Sequence, residues 1–377
     1  TMRAASVNPH SPRAVLPPVS NPASSIPQWL QQRLEAAGGA VPFGTYMEWV
    51  LHDPEHGAYG SGRLQIGPRG DFATSPSLGP DFAALLAPQL AAWLEQLGAQ
   101  DPSAPLSLVE TGPGEGTLAL QLARELSVGW PHLAARCELV LVEPNAGMVA
   151  RQRRQLEACP LPVRWSSFAA LAAAPLWGVV LAHEVLDALA VERFSSDGER
   201  WCRQLVRLES QSSDGSARLR LAAGAPLSDG ELALLEPLHL QAPGPQRPTG
   251  WTSELHTGLQ PWLADAAASL RNGWLLVVDY ALEAWRYYAP SRLDGTLMAY
   301  RQQRAFSDPL VDPGQCDLTA HLCIEQLEAA ARAAGWHGLG QCRQGEALLA
   351  LGLAQRLHGL QHGATPDQLG ELLGRRE

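Results

Sequence analysis

Three glycines alternate at 112, 114 and 116 within Leu106-Ser-Leu-Val-Glu-Thr-Gly-Pro-Gly-Glu-Gly-Thr-Leu-Ala-Leu, and Glu110 stands two residues ahead of the first. Glycine lets the backbone turn sharply and come close to a ligand. A helix starting just after it would offer that ligand its unpaired N–H groups. This is the nucleotide-cradling element of a doubly wound α/β sheet. A dinucleotide fingerprint spaces its glycines G-x-G-x-x-G, whereas Gly112, Gly114 and Gly116 read G-x-G-x-G behind a carboxylate. That arrangement suits a ligand with no pyrophosphate but with an ammonium and a sulfonium, which is S-adenosylmethionine. The glycines alone are a weak signal in a chain with 35 Gly and 30 Pro, so the strand-loop-helix setting carries the reading. A second carboxylate, Glu143, ends the apolar run Cys137-Glu-Leu-Val-Leu-Val, where a ribose diol would be gripped by paired O–H to carboxylate bonds. Glu143 also reads as a carboxylate favoured by a helix start; the order Glu110, glycines, Glu143 weighs against that plainer account. A further strand, Trp177-Gly-Val-Val-Leu-Ala, runs into His183-Glu-Val-Leu-Asp187. Ligands of such sheets lie beyond the carboxyl ends of the strands, so His183 is expected to face the reactive end of the donor.

The elements that must position these groups follow in order. Helices are predicted near 27–37, 42–51 and 80–97, the last with Leu85, Leu86, Leu90 and Trp93 on one face. Strands begin at Leu106, with Pro162-Val-Arg-Trp as a weaker member. Past Asp187 the period changes to two in Arg200-Trp-Cys-Arg-Gln-Leu-Val-Arg-Leu and Ala217-Arg-Leu-Arg-Leu, a hairpin around Ser-Ser-Asp-Gly-Ser. A helix from about 255 to 271, the strand Gly273-Trp-Leu-Leu-Val-Val-Asp279, and a helix 317–334 followed by closing strands complete the pattern. The fold class is α/β: a Rossmann-like, class I methyltransferase sheet with an N-terminal helical segment and an inserted α+β lobe. Its expected parts are a tail over 1–25, a helical and lid segment over 26–104, and a core formed by 105–188 and 252–350. An inserted lobe over 189–251 and a tail over 351–377 complete the division.

Several separated blocks resemble one family. They are Tyr46-Met-Glu-Trp-Val-Leu-His-Asp-Pro-Glu-His-Gly-Ala-Tyr, Gly70-Asp-Phe-Ala-Thr-Ser-Pro, Glu110-Thr-Gly-Pro-Gly-Glu-Gly-Thr-Leu, His183-Glu-Val-Leu-Asp-Ala-Leu, Val277-Val-Asp-Tyr, Asp294-Gly-Thr-Leu and Pro313-Gly-Gln-Cys-Asp-Leu-Thr-Ala-His. Together they are similar to the MidA / NDUFAF7-type protein arginine methyltransferases (DUF185) from about residue 40 to 350. The family usually has Asn at the position of His183, Glu at Ser77, Pro at Ala190 and His at Gln303. The resemblance implies S-adenosylmethionine as cofactor and a lid in which Asp71, Thr74 and Ser75 contact the donor. It also implies a protein substrate, in eukaryotic relatives an arginine of a core subunit of respiratory complex I, and so here a subunit of an NADH dehydrogenase-like complex.

An arginine acceptor sets a chemical problem, because guanidinium keeps its proton to about pH 12 or beyond. Transfer is one in-line displacement that needs alignment and an available lone pair. Two carboxylates can hold the guanidinium in a fork and polarise one nitrogen. Glu184 and Asp187 are three residues apart, so one helical turn would put them on the same side. Glu184 is expected to grip and later accept the proton, Asp187 to orient, and Glu254 is a third catalytic candidate. Each also reads as a helix cap or an exposed charge.

Composition narrows the partners. The chain has 377 residues, 46% of them hydrophobic, ample for one large core and an added lobe. A net charge of −10 argues against binding nucleic acid and suits a cationic protein segment. All 28 basic residues are arginine, so no lysine can act in catalysis. The six cysteines form no C-x-x-C pair, and His52 and His56 around Asp53-Pro-Glu read as a loop, so no metal site is expected. Reduced thiols, a cytoplasmic setting and no membrane insertion complete the expectation. Two other classes stay open: an assembly factor that binds the donor without transferring its methyl group, and a nicotinamide-dependent oxidoreductase.

Overall fold

The structure is a computed structural model that describes residues 26–67, 70–210 and 217–363. The expected tail over 1–25, the turn Ser212–Ser216 and the polar end beyond Gly363 lie outside the described residues.

Ten strands position the site. They are β1 (Ala40–Pro42), β2 (Leu106–Thr111), β3 (Cys137–Val142), β4 (Val163–Ser166), β5 (Leu176–His183), β6 (Glu192–Ser196), β7 (Trp201–Ser210), β8 (Ala217–Pro226), β9 (Thr252–Leu255) and β10 (Leu270–Val278). Five of them form an all-parallel sheet in the order β10-β5-β2-β3-β4. Parallel sheets are covered on both faces, so their strands read as continuous apolar runs. Leu106, Leu108, Leu139, Leu141, Val179 and Leu181 pack against the helices Asp81–Gln100 and Thr117–Gly129. Val109, Val140, Val142 and Val180 point to the opposite face, onto Leu171. The chain builds outward from β2 through β3 to β4, then returns to β5 and β10 on the other side. The strand order therefore reverses between β2 and β5, and a ligand crevice opens at their carboxyl ends.

The second sheet differs from the expected insertion. Its order is β1-β7-β6-β9, antiparallel throughout, with β8 also paired to β7. The lobe thus recruits β1 from the N-terminal segment and β9 from a stretch assigned to the core. The helix expected from 255 is shorter, Leu259–Ala268, because Thr252–Leu255 pairs with Glu192–Ser195 instead. Buried Phe194, Trp201 and Trp251 fasten the lobe to Tyr287 and Tyr288. Two further corrections concern the end of the chain. Asp317 belongs to a short strand, Asp317–Thr319, and the following helix is Ile324–Ala333. In place of closing strands come two helices, Gln344–Ala350 and Leu353–Gly363, so residues 353–363 of the expected tail are ordered. Arg356 Nε donates to Asp81 Oδ1 at 2.7 Å, which pins the last helix to the long one.

Candidate active site

The glycine loop has the geometry that its residue types demand. Gly112, Gly114 and Gly116 have φ of 53°, 52° and 79°, a left-handed backbone that other residues adopt only at a cost. Gly116 is the residue from which the helix Thr117–Gly129 starts. Glu110, at the end of β2, is buried, and its Oε2 has no hydrogen-bond partner. Burial pushes its carboxyl up to about 8, against a single backbone N–H from Ala119. A buried acceptor without a donor costs free energy unless a ligand supplies one. The ammonium of an amino-acid moiety would do so.

Glu143 ends up one residue past β3. Its Oε1 accepts the backbone N–H and the side-chain amide of Asn145, both at 2.9 Å, and its Oε2 accepts Gln152 Nε2 at 3.0 Å. These bonds fix the carboxylate's orientation while leaving it lone pairs for a diol. Gln152 also donates to the carbonyl of Gly114 at 2.9 Å, which ties the second strand's carboxylate to the glycine loop.

Residues 61–67 and 70–78 flank this loop. Ile66 Cδ1 lies 2.7 Å from where a side chain on Gly114 would begin. Arg151 pairs with Glu115 and donates to the carbonyls of Gly62 and Leu64, so one guanidinium clasps lid and loop together. The three lid candidates take different parts. Asp71 accepts the N–H of Gln65 and of Gln302, each at 3.0 Å, and joins the lid to the hairpin Met298–Phe306. A cavity of about 450 Å³ opens beside it, lined by Arg63, Gln65, Asp71, Gln302 and Gln303. Thr74 and Ser75 start a one-turn helix, Ser75–Leu78, where Ser77 Oγ accepts the Thr74 N–H at 3.0 Å. Ser75 Oγ is taken by Gln344 Nε2 at 3.1 Å. Asp71 and Ser75 are therefore engaged in holding the lid, and the structure gives neither a side-chain oxygen free of protein partners for the donor.

The catalytic candidates fare unequally. Glu184 and Asp187 do not lie on a helical turn. Glu184 has φ 51° and the segment is a tight turn after β5. The two carboxyls nevertheless face a common group, joined by Asp279 after β10 and Asp317 from the strand Asp317–Thr319. Burial, then the charges of Asp279 and Asp317, push Glu184 up to about 7. Burial first and the neighbouring acids second hold Asp187 well above the usual carboxylate range. Asp317, buried, accepts the Tyr59 hydroxyl at 3.0 Å and is pushed up to about 7. His183 is buried with its Nε2 unpartnered, 3.8 Å from Glu184 Oε1, and burial pulls it down to about 4, so the imidazole is neutral. The Val185 side chain comes within 3.0 Å of the Cβ position of Gly112, which puts this turn against the donor loop.

Glu254 stands apart from this group. It is fully buried, its Oε2 accepts Thr296 N–H at 2.9 Å and the Tyr287 hydroxyl at 3.3 Å, and its Oε1 lies 3.5 Å from Arg193 Nε. Arg193 is equally buried and also binds Asp294 at 2.6 Å, so Glu254 neutralises a cation that holds the lobe in place. The His321 carbonyl accepts from His256 Nε2 at 2.7 Å, and the His321 ring lies 6.0 Å from Tyr280. Asp279 and Tyr59 stand in the resembling blocks but not among the expected site residues. Asp279 carries the same signal as Glu110 and Glu143, an acid at the end of an apolar strand, whereas no local pattern gives Tyr59 a role. Among the described residues no group of His, Cys, Asp or Glu could hold a metal ion, and no helix is long and apolar enough to cross a membrane.

A parallel sheet whose switch-point crevice holds a G-x-G-x-G loop, an orphaned acid and a diol-ready acid defines an S-adenosylmethionine-dependent methyltransferase. Residues 85–342 match the family described as "Putative S-adenosyl-L-methionine-dependent methyltransferase", and the chain belongs to it. It is 29% identical to the protein arginine methyltransferase NDUFAF7 homolog, mitochondrial, of Drosophila melanogaster over 93% of this chain and 81% of that protein. To NDUFAF7 of Mus musculus it is 26% identical over 95% of this chain and 81% of that protein. Among solved structures it is similar to a COG1565 superfamily member of Burkholderia thailandensis bound to S-adenosyl-homocysteine, with a TM-score of 0.78 and 30% identity over 92% of this chain and 85% of that one. The nicotinamide alternative is thereby set aside.

Proposed function

We propose that the enzyme methylates an arginine side chain of a protein partner, and that the partner is a subunit of an NADH dehydrogenase-like complex. One observation carries the reading: Glu184 and Asp187 share a buried group with Asp279 and Asp317 directly against the donor loop. Four acids gathered with no cation among them invite one, and a guanidinium offers five N–H donors in a planar fork. Glu110, Glu143 and the glycine loop would hold S-adenosylmethionine, which supplies an electrophilic methyl group when bound. Ionised Glu184 holds two N–H groups of the acceptor and takes up the proton that the nitrogen releases on gaining carbon. With its carboxyl near 7 it is matched to that task at neutral pH. Asp187, buried behind it, keeps the guanidinium plane aligned. The names of the relatives, protein arginine methyltransferase NDUFAF7, support both the acceptor type and the class of partner, and the net charge of −10 suits a cationic segment.

The test is methyl transfer from labelled donor to arginyl peptides and to lysyl copies of them, followed by mass spectrometry of the product. Transfer to arginine alone is expected. Transfer to lysine or to a carboxylate would overturn the acceptor assignment, and donor binding without any transfer would favour the assembly-factor reading.

A further inference from the structure

Strand β10 ends at Val278 beside His183, the last residue of β5, and delivers Asp279 next to the turn that bears Glu184 and Asp187. A single oxygen of Asp279, Oδ2, accepts three successive backbone N–H groups: Val185 at 3.3 Å, Leu186 at 2.9 Å and Asp187 at 3.3 Å. Its Oδ1 accepts the N–H of Tyr280 at 2.8 Å. Consecutive N–H groups converging on one point make an anion-binding nest, and here the anion is a side chain of the same protein. The turn needs such a clamp, because Glu184 is held in a left-handed backbone that a glutamate avoids when unconstrained.

We propose that Asp279 is a positioning residue: its carboxylate grips the backbone of Val185–Asp187 and so aims the Glu184 and Asp187 side chains at one acceptor group. The proposal rests on the arginine reading for what is aimed at, but the clamp itself does not. Asp279 does not touch the acceptor. It acts through the turn, and through its negative charge, which faces Glu184 and Asp187 and helps to keep Glu184 near neutrality. The other ionisable groups around this cluster are His183 beside Glu184, Asp317 with Tyr59 from the opposite wall, Asp71 beyond Asp317, and Tyr280 and Tyr300 at its edge. It is Asp279 that accepts the turn's three N–H groups.

Asp279→Asn keeps the volume and removes the charge. In the full chain, affinity for S-adenosyl-homocysteine is expected to stay within about threefold, while kcat on an arginyl peptide falls roughly 100-fold through misalignment. The acid limb of kcat/KM is expected to move about one pH unit lower, since the charge that raises Glu184 is gone. A residue that merely filled space would leave that limb in place. The second readout uses the substrate-free wild type: the amide signals of Val185, Leu186 and Asp187 should shift together as Asp279 titrates near pH 6, and should lose that common step in the variant. Amides that do not move together in the wild type, or an unmoved acid limb in the variant, overturn the proposal. So does loss of donor binding along with activity, which would assign Asp279 to the fold as a whole. If the three amides titrate together but the wild type methylates no arginine, the clamp stands and the arginine reading falls.

Discussion

Donor affinity should depend steeply on pH through Glu110. Its carboxyl is buried, lacks a partner on Oε2 and is pushed up to about 8 from an ordinary value of 4.5. In the empty protein it is therefore about 1% ionised at pH 6, about 10% at pH 7 and half ionised at pH 8. An ammonium placed against it requires the ionised form, so binding must expel the proton. Affinity for S-adenosyl-homocysteine, whose amino-acid end is that of the donor, should rise about twentyfold from pH 6 to pH 8, or roughly 1.8 kcal/mol, the amine being partly deprotonated at the upper end. Above pH 8 it should fall again, because a free α-amine loses its own proton at about 7.7–8.0. Titration calorimetry at pH 7 in buffers of different ionisation enthalpy should show a net release of about three-quarters of a proton per ligand. Glu110→Gln should remove the acid limb, bind more weakly at pH 8 and leave the alkaline fall intact. A flat affinity between pH 6 and pH 8 in the wild type refutes the reasoning, and so does an acid limb that survives in the glutamine variant.

Three other outcomes follow from the site. Glu184→Gln should abolish methyl transfer and spare donor affinity. It should also stabilise the empty protein: the folded carboxyl sits near 7 against 4.5 ordinarily, so the penalty grows as pH rises through that window and is complete above it. Urea unfolding should show a gain of about 3 kcal/mol at pH 8 and less than about 1 at pH 5; an equal gain at both values would mean that charge is not the cause. Glu254→Ala leaves buried Arg193 with Asp294, Gln204 and the Phe43 ring, and should cost about 3 kcal/mol in the same assay while sparing kcat per folded molecule. Loss of kcat without loss of stability would return Glu254 to the catalytic set. Because burial keeps the His183 imidazole neutral down to about pH 4, it offers uncharged hydrogen-bonding atoms as the asparagine of similar proteins does. His183→Asn should therefore change kcat/KM less than about threefold at pH 7, or under about 0.7 kcal/mol, and a hundredfold loss would show that the ring itself is needed.

What could be read from the chain and what could not divide along the site itself. The donor side belongs to one continuous strand-loop-helix unit and the strand after it, so Glu110, the three glycines and Glu143 announce themselves by local order: an apolar run, an acid, a break, a helix. The acceptor side comes from four separate segments, around 59, 184–187, 279 and 317, and no local pattern states that they meet. Glu184 and Asp187 were found, but for a reason that the structure replaces. Their common direction comes from a left-handed residue and three N–H groups gathered by an acid more than ninety residues away, not from helical spacing. Glu254 shows the converse: nothing in Thr252-Ser-Glu-Leu betrays that Arg193, placed opposite it by the pairing of β6 with β9, consumes its charge. The lobe misled for the same reason, since β1 joins it by pairing Val41 with Val206 across the core segment 105–188. His183, where the family usually has Asn, lies beside Glu184 on this assembled side, whereas Glu110, the glycines and Glu143 stand in the expected order. A local unit can be kept by keeping its few residues in sequence. A surface assembled from distant segments can exchange one polar group for another, provided that the carboxylates it gathers still point at the same acceptor.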